Sequence, residues 1–208
     1  MDTCKSHRRI YHHCDHALLN KFYVVAVISN PVRFTSRYAL YEKFEENMKK
    51  AGVKLLTVEL QMGDRAFQVT EKGNPLHLQL RSYSELWHKE NLINLGIARL
   101  PTDWEYVAWI DADIEFTRTD WALETVQQLQ HNHFVQLFQN AVDLGPTGER
   151  LQIHNGFAYS YLNGMPCGRD YHGLGHPGYA WAARREAIDH RLPVLEQPDV
   201  RLARGQRV

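Results

Sequence analysis

The sequence predicts an α/β fold with a mostly parallel sheet flanked by helices, and three observations carry that prediction. Phe22-Tyr23-Val24-Val25-Ala26-Val27-Ile28 is a continuous apolar run rich in β-branched residues, the pattern of a strand covered on both faces, as in a parallel sheet. A second such run, Tyr106-Val107-Ala108-Trp109-Ile110, recurs further along. Between and after them, strand-like and helix-like stretches follow the order β-α-β-β-α-β-α-β, which is that of α/β architecture.

Each element has its own signal. Ser29-Asn30-Pro31 breaks the first strand. Arg37 to Lys50 reads as an amphipathic helix, because Tyr38, Tyr41, Phe44 and Met48 recur at three- and four-residue spacing. Gly52 follows where a helix stop is expected. Lys54 to Leu60 is a second strand, Asn74-Pro75 a turn, and Leu76 to Leu80 a short strand. Ser84 is expected to open the next helix, its hydroxyl capping the free N–H groups of the first turn. Leu86, Ile93, Ile97 and Leu100 supply that helix's apolar stripe, and Pro101 ends it. Trp121 to His131 is helical in pattern and Phe134 to Phe138 is a strand. The stretch from Gly145 to Gly178, rich in Gly, Pro and Tyr, reads as long functional loops. No internal repeat or low-complexity linker interrupts the chain.

Composition narrows the function classes. The 208 residues suit one domain, read as 21–188, between a leader (1–20) and an irregular basic tail (189–208). Lys plus Arg (24) balances Asp plus Glu (24), so the basic excess of a dedicated nucleic-acid binder is missing. With 44% hydrophobic residues the chain can build a core. No apolar run reaches the roughly 18–20 residues of a transmembrane segment. Cys4, Cys14 and Cys167 are odd in number and lack framework spacing, which argues against a disulfide scaffold. Lys5, Arg8 and Arg9 lead into no apolar stretch, so no secretory signal is read and a cytoplasmic location is expected. The leader's Cys4, His7, His12, His13, Cys14 and His16 match no finger spacing; a disordered leader is expected, with metal binding as the alternative.

The sharpest feature is Asp111-Ala112-Asp113, directly after the apolar strand. In open α/β sheets, ligands bind just beyond the carboxyl ends of the strands. In extended geometry, residues two apart share one face. Two close carboxylates repel unless a cation lies between them. Oxygen ligands suit Mg2+ or Mn2+, held by one or two carboxylates plus substrate phosphates. The residues therefore point to a metal-bridged diphosphate site; the competing reading is a turn cap beside a solvated aspartate.

This strand with its Asp-x-Asp, preceded by a helix carrying Lys89-Glu90-Asn91, Asn94 and Gly96, resembles the nucleotide-diphospho-sugar transferases of the GT-A (Rossmann-like) fold, in particular family-2-like glycosyltransferases. The resemblance spans roughly residues 21–188. It implies a metal-dependent glycosyltransferase that moves a sugar from a nucleotide-diphosphate donor to a glycan, lipid or protein acceptor. It implies Asp113 as the main metal ligand and Asp111 on the ribose or metal. Asn30 and Arg33 lie in the first-strand loop, where the nucleoside is cradled; a solvated Arg33 is the alternative. Glu59, at the end of the second strand, would help hold the nucleoside. Lys89 and Asn91 would lie near the donor phosphates. Trp87 and His88 read as packing and surface residues.

The second informative stretch runs from His172 to Ala187. Its glycines permit close backbone approach, and Tyr179 and Trp181 offer sugar-stacking surfaces or core packing. Gly178 followed by Arg184-Arg185-Glu186 resembles the family's acceptor-side strand and helix. His176 is a candidate metal or phosphate contact. Asp143 and His154 fall in loops with no spacing that selects them. An inverting transferase needs a carboxylate base, and none stands out; Glu186 and Asp189 are the weak candidates. The alternative function is therefore a non-catalytic nucleotide-sugar-binding or partner-binding domain. A nucleotidyltransferase is disfavoured, because Ser29 to Arg37 has no glycine. Comparable transferase domains run past roughly 200 residues, so a missing or replaced catalytic end is expected here.

Overall fold

The structure, a computed structural model, describes residues 17–165 and 175–188 and the backbone of 200–202. Among the described residues there are nine strands and five named helices, the first eight elements following the expected order β-α-β-β-α-β-α-β. Strands β1 (Phe22–Ser29), β2 (Lys54–Met62), β3 (His77–Ser82), β4 (Tyr106–Ile110), β5 (Phe134–Gln136), β8 (Ala180–Arg184) and β9 (Val200–Leu202) form one seven-stranded sheet in the order β5-β8-β4-β1-β2-β3-β9. The central pairs β4–β1, β1–β2 and β2–β3 are parallel, whereas β8 and β9 run antiparallel to their neighbours. This is a mixed α/β, mostly parallel, Rossmann-like sheet, as expected. Strands β6 (Asn140–Leu144) and β7 (Arg150–Asn155) form a separate hairpin.

The apolar run 22–28 of β1 is explained by a helix layer on each face. Phe22, Val24 and Ala26 face Phe44 and Met48 of α1 (Thr35–Lys50) and Trp121, Val126 and Leu129 of α3 (Trp121–Leu129). Tyr23 and Val25 face Leu92 and Ile97 of α2 (Lys89–Ala98) on the other side. Gly96 lets α2 sit close, since a Cβ there would lie 2.7 Å from Val25 Cγ1.

Four expectations are corrected. Ser84 does not open a helix: α2 begins at Lys89, and Ser84 N–H donates to Ser82 Oγ (3.0 Å) in a local turn. Short hydroxyl side chains compete with helix in this way. Leu86, expected in the buried stripe, is exposed. The 145–178 region is not all loop: Gly145 to Gly148 makes the β6–β7 turn, with Gly148 at φ 82, and α4 (Phe157–Leu162) follows. The Gly and Pro signals there mark a tight hairpin connection. The tail is not uniformly irregular either, because β9 pairs with β3. Residues 1–16, 166–174, 189–199 and 203–208, including the three cysteines and Asp189, lie outside the described residues.

Candidate functional site

The chain runs from β1 outward through β2 and β3, then returns to place β4 on the other side of β1. The loops leaving β1 and β4 therefore diverge, which is where open α/β sheets bind ligands. Asp111 and Asp113 sit at that point. They are not extended: Ile114 N–H donates to Asp111 C=O (3.1 Å), closing a turn over 111–114. Ala112, Ile114 and Phe116 pack against the core, and Phe116 stacks on Trp121 at 4.3 Å, so the intervening acidic residues are turned outward.

Asp111 is committed. Its N–H donates to Tyr179 C=O (2.8 Å), and its carboxylate pairs with Lys89, the first residue of α2. Asp113 is exposed. Its carboxyl is nevertheless pushed above its ordinary value, first by lost solvation and then by the Asp111 charge; Arg37 and Lys89 offset part of this. Arg37, in the first turn of α1, also approaches Ser29 C=O (3.5 Å). It was not singled out from the sequence, because an arginine in an amphipathic helix looks like a solvated one.

The other expected donor residues divide. Asn30 is buried, and both ends of its amide are bonded to Phe34: Nδ2 donates to the carbonyl (2.8 Å) and Oδ1 accepts from the N–H (3.0 Å). It shapes the loop from within. That closure holds Arg33 exposed, at φ 63, in the left-handed region that few non-glycine residues adopt. Asn91 is buried, and neither amide atom has a hydrogen-bond partner among the described residues.

Glu59 is a correction. It is 1% exposed, and its carboxylate accepts from Gln61 Nε2 (2.8 Å), Gln68 N (2.6 Å), Val69 N (3.1 Å), Thr70 N (2.9 Å) and Thr70 Oγ1 (2.6 Å). Segment 63–76 joins two parallel strands without a helix, so its backbone donors need partners. Glu59 supplies them and has no oxygen left for a nucleoside. His88 is buried and Trp87 exposed, the latter donating to Glu90 (3.2 Å).

Glu186 is also corrected. Strand β8 is antiparallel to β4, pairing Tyr106 with Arg184 and Ile110 with Ala180. Residues 184–186 therefore lie at the amino end of β4, at the far end of that strand from Asp111. Glu186 pairs there with Arg184 (3.0 Å).

The same antiparallel register brings Tyr179 beside Asp111, together with a cluster the sequence did not select. Tyr179 OH donates to Asp143 Oδ1 (3.1 Å), and His154 Nε2 lies 2.8 Å from Asp143 Oδ2. The His176 ring stacks on Tyr179 at 4.0 Å, and His154 lies 5.2 Å from His176. Asp143 is held below its ordinary value, chiefly by His154. Burial and the adjacent Asp143 push the Tyr179 hydroxyl up to about 12. Tyr179 has φ 69; strain of this kind in a non-glycine residue concentrates at functional sites. Trp181 is half-buried, donating to Pro177 C=O (2.7 Å).

The expected set Asp111, Asp113 and His176 is not assembled around one point. Among the described residues, no group of three or more His, Cys, Asp or Glu side chains is close enough to hold a metal ion. His176 Nδ1 accepts from Gly178 N–H (3.1 Å), so the neutral ring carries its proton on Nε2 and offers a donor there, not a ligating lone pair. Burial, then His154, holds this imidazole below its ordinary value, which favours the neutral form.

No protein-family model matches the chain, and no curated protein matches it. Among solved structures it is similar to a Desulfovibrio desulfuricans G20 protein assigned provisionally to the nucleotide-diphospho-sugar transferases. The identity is 10%, the TM-score 0.39, and the match covers 81% of this chain. The match spans 65% of that protein, just under two thirds of its length.

Proposed function

We propose that the chain binds a nucleotide-diphospho-sugar at the carboxyl ends of β1 and β4 and transfers the sugar to a glycan, lipid or protein acceptor. The observation that carries this reading is the Asp111–Asp113 turn at the topological switch point, with Lys89 and Arg37 converging on it. Anionic phosphates suit the two cations. The donor set fits Mg2+ or Mn2+: oxygen ligands only, with Asp113 destabilised as an anion by lost solvation and then by Asp111. Asp113 and Asp111 would hold the ion, with substrate oxygens completing the shell. When bound, it would neutralise the departing diphosphate. Asn91, with its unanswered amide, is the further donor-side residue.

Thermal unfolding with UDP- and GDP-sugars, with and without Mn2+, tests the reading. Metal-dependent stabilisation that disappears in Asp113→Ala is expected. No stabilisation by any nucleotide sugar would remove the reading. A non-catalytic binding domain is the second reading, favoured by the position of Glu186 at the wrong end of the sheet. Donor hydrolysis separates the two.

A further inference from the structure

An inverting transferase built on this sheet needs a base for the acceptor, and Glu186 is at the wrong end of the sheet to supply one. We propose that the base is His154, oriented by Asp143, an inference that rests on the donor-binding function proposed above. Both residues lie on the β6–β7 hairpin, which the sequence does not link to Asp111.

The geometry is that of an oriented imidazole. His154 Nε2 bonds Asp143 Oδ2 at 2.8 Å, so the proton of the neutral ring lies on Nε2 and the lone pair on Nδ1. Among the described residues Nδ1 has no hydrogen-bond partner. Tyr179 OH donates to the second Asp143 oxygen; the His154 bond first and this one after it hold the carboxylate below its ordinary value, and together they set its direction. The titratable groups around His154 are Asp143 on its own hairpin, and His176 and Tyr179 ahead of β8. His176 is not the base, because its Nδ1 lone pair already accepts from Gly178 N–H.

The cluster belongs to the same site as the carboxylate pair. Tyr179 takes the Asp111 N–H on its carbonyl, and its hydroxyl feels the charges of both Asp111 and Asp113. His176, 5.2 Å from His154, feels Asp111 and Lys89.

In the step, the acceptor hydroxyl oxygen bonds to the anomeric carbon. The bond from that carbon to the diphosphate oxygen breaks, and its electron pair leaves with the diphosphate. The acceptor proton moves to His154 Nδ1, and the resulting imidazolium faces Asp143. With water as acceptor the same step hydrolyses the donor. A base positioned for direct attack implies inversion at the anomeric carbon.

The test uses the full chain with UDP-glucose, UDP-N-acetylglucosamine and GDP-mannose. Calorimetry reads binding, nucleoside diphosphate release reads turnover, and NMR reads the product anomer. His154→Gln, whose amide N–H can keep the bond to Asp143, should bind the nucleotide within twofold of wild type. Its release rate should fall roughly 100-fold or more. Asp143→Asn removes the carboxylate that orients the ring, so the release rate should fall roughly tenfold or more while the donor still binds within twofold of wild type. A donor that binds but is released equally fast by His154→Gln overturns the proposal. So does a release rate unmoved in Asp143→Asn, a retained anomeric configuration, or a wild-type chain that binds donor without turnover. If no nucleotide binds, the donor-site reading itself fails and takes this one with it.

Discussion

Gly96→Ala tests whether the close approach of α2 to the sheet is what the packing requires. The added Cβ would lie 2.7 Å from Val25 Cγ1, 3.0 Å from Val58 Cγ2 and 3.4 Å from Leu56 Cδ2. All three neighbours are fully buried on the central strands. Overpacking of this kind typically costs about 1–3 kcal/mol. Alanine returns about 1 kcal/mol of helix propensity relative to glycine. The net expectation is a loss of roughly 1 kcal/mol, about 2–4 °C in Tm for a chain of this size. Reversible urea unfolding measures it. A variant more stable than wild type by about 1 kcal/mol, the propensity gain alone, would refute the packing argument. The same displacement would move Lys89, at the start of α2, away from Asp111.

Two further outcomes follow from single side chains. Glu59→Gln places an amide donor against the N–H groups of residues 68–70, so unfolding stability should drop by about 2–3 kcal/mol; an unchanged urea midpoint would show that the 63–76 segment does not depend on this carboxylate. Asp113 is raised in the folded chain, so its favourable contribution is present below its ordinary value and is lost as pH rises through the raised one. Asp113→Asn removes that loss and should therefore unfold at higher temperature than wild type at pH 7, with the gap closing on acidification to about pH 4. A variant less stable than wild type at pH 7 contradicts the desolvation and charge repulsion assigned to this carboxylate.

The legible parts of this protein were those with local causes. Tyr106–Ile110 is observed with the expected limits, because an apolar run bounded by polar residues records its own burial. The first helix begins two residues earlier than its pattern suggests, at Thr35. Ser84 misled, because a serine before an apolar stretch serves a helix cap or a local turn equally well, and Ser82 decided for the turn. Glu59 misled because a carboxylate at a strand end looks the same whether it faces a ligand or a loop.

The sequence by itself determined the doubly covered strands, the order of the elements up to β5 and the acidic turn after β4, since each rests on burial or backbone preference within a few residues. The tertiary structure alone decided what surrounds that turn. The antiparallel direction of β8 carries Glu186 to the far end of β4 and delivers Tyr179 to Asp111. The folding of the β6–β7 hairpin brings His154 onto Asp143 and that pair onto Tyr179. Strand direction depends on which neighbour takes the hydrogen bonds, a long-range choice that no spacing in the chain records.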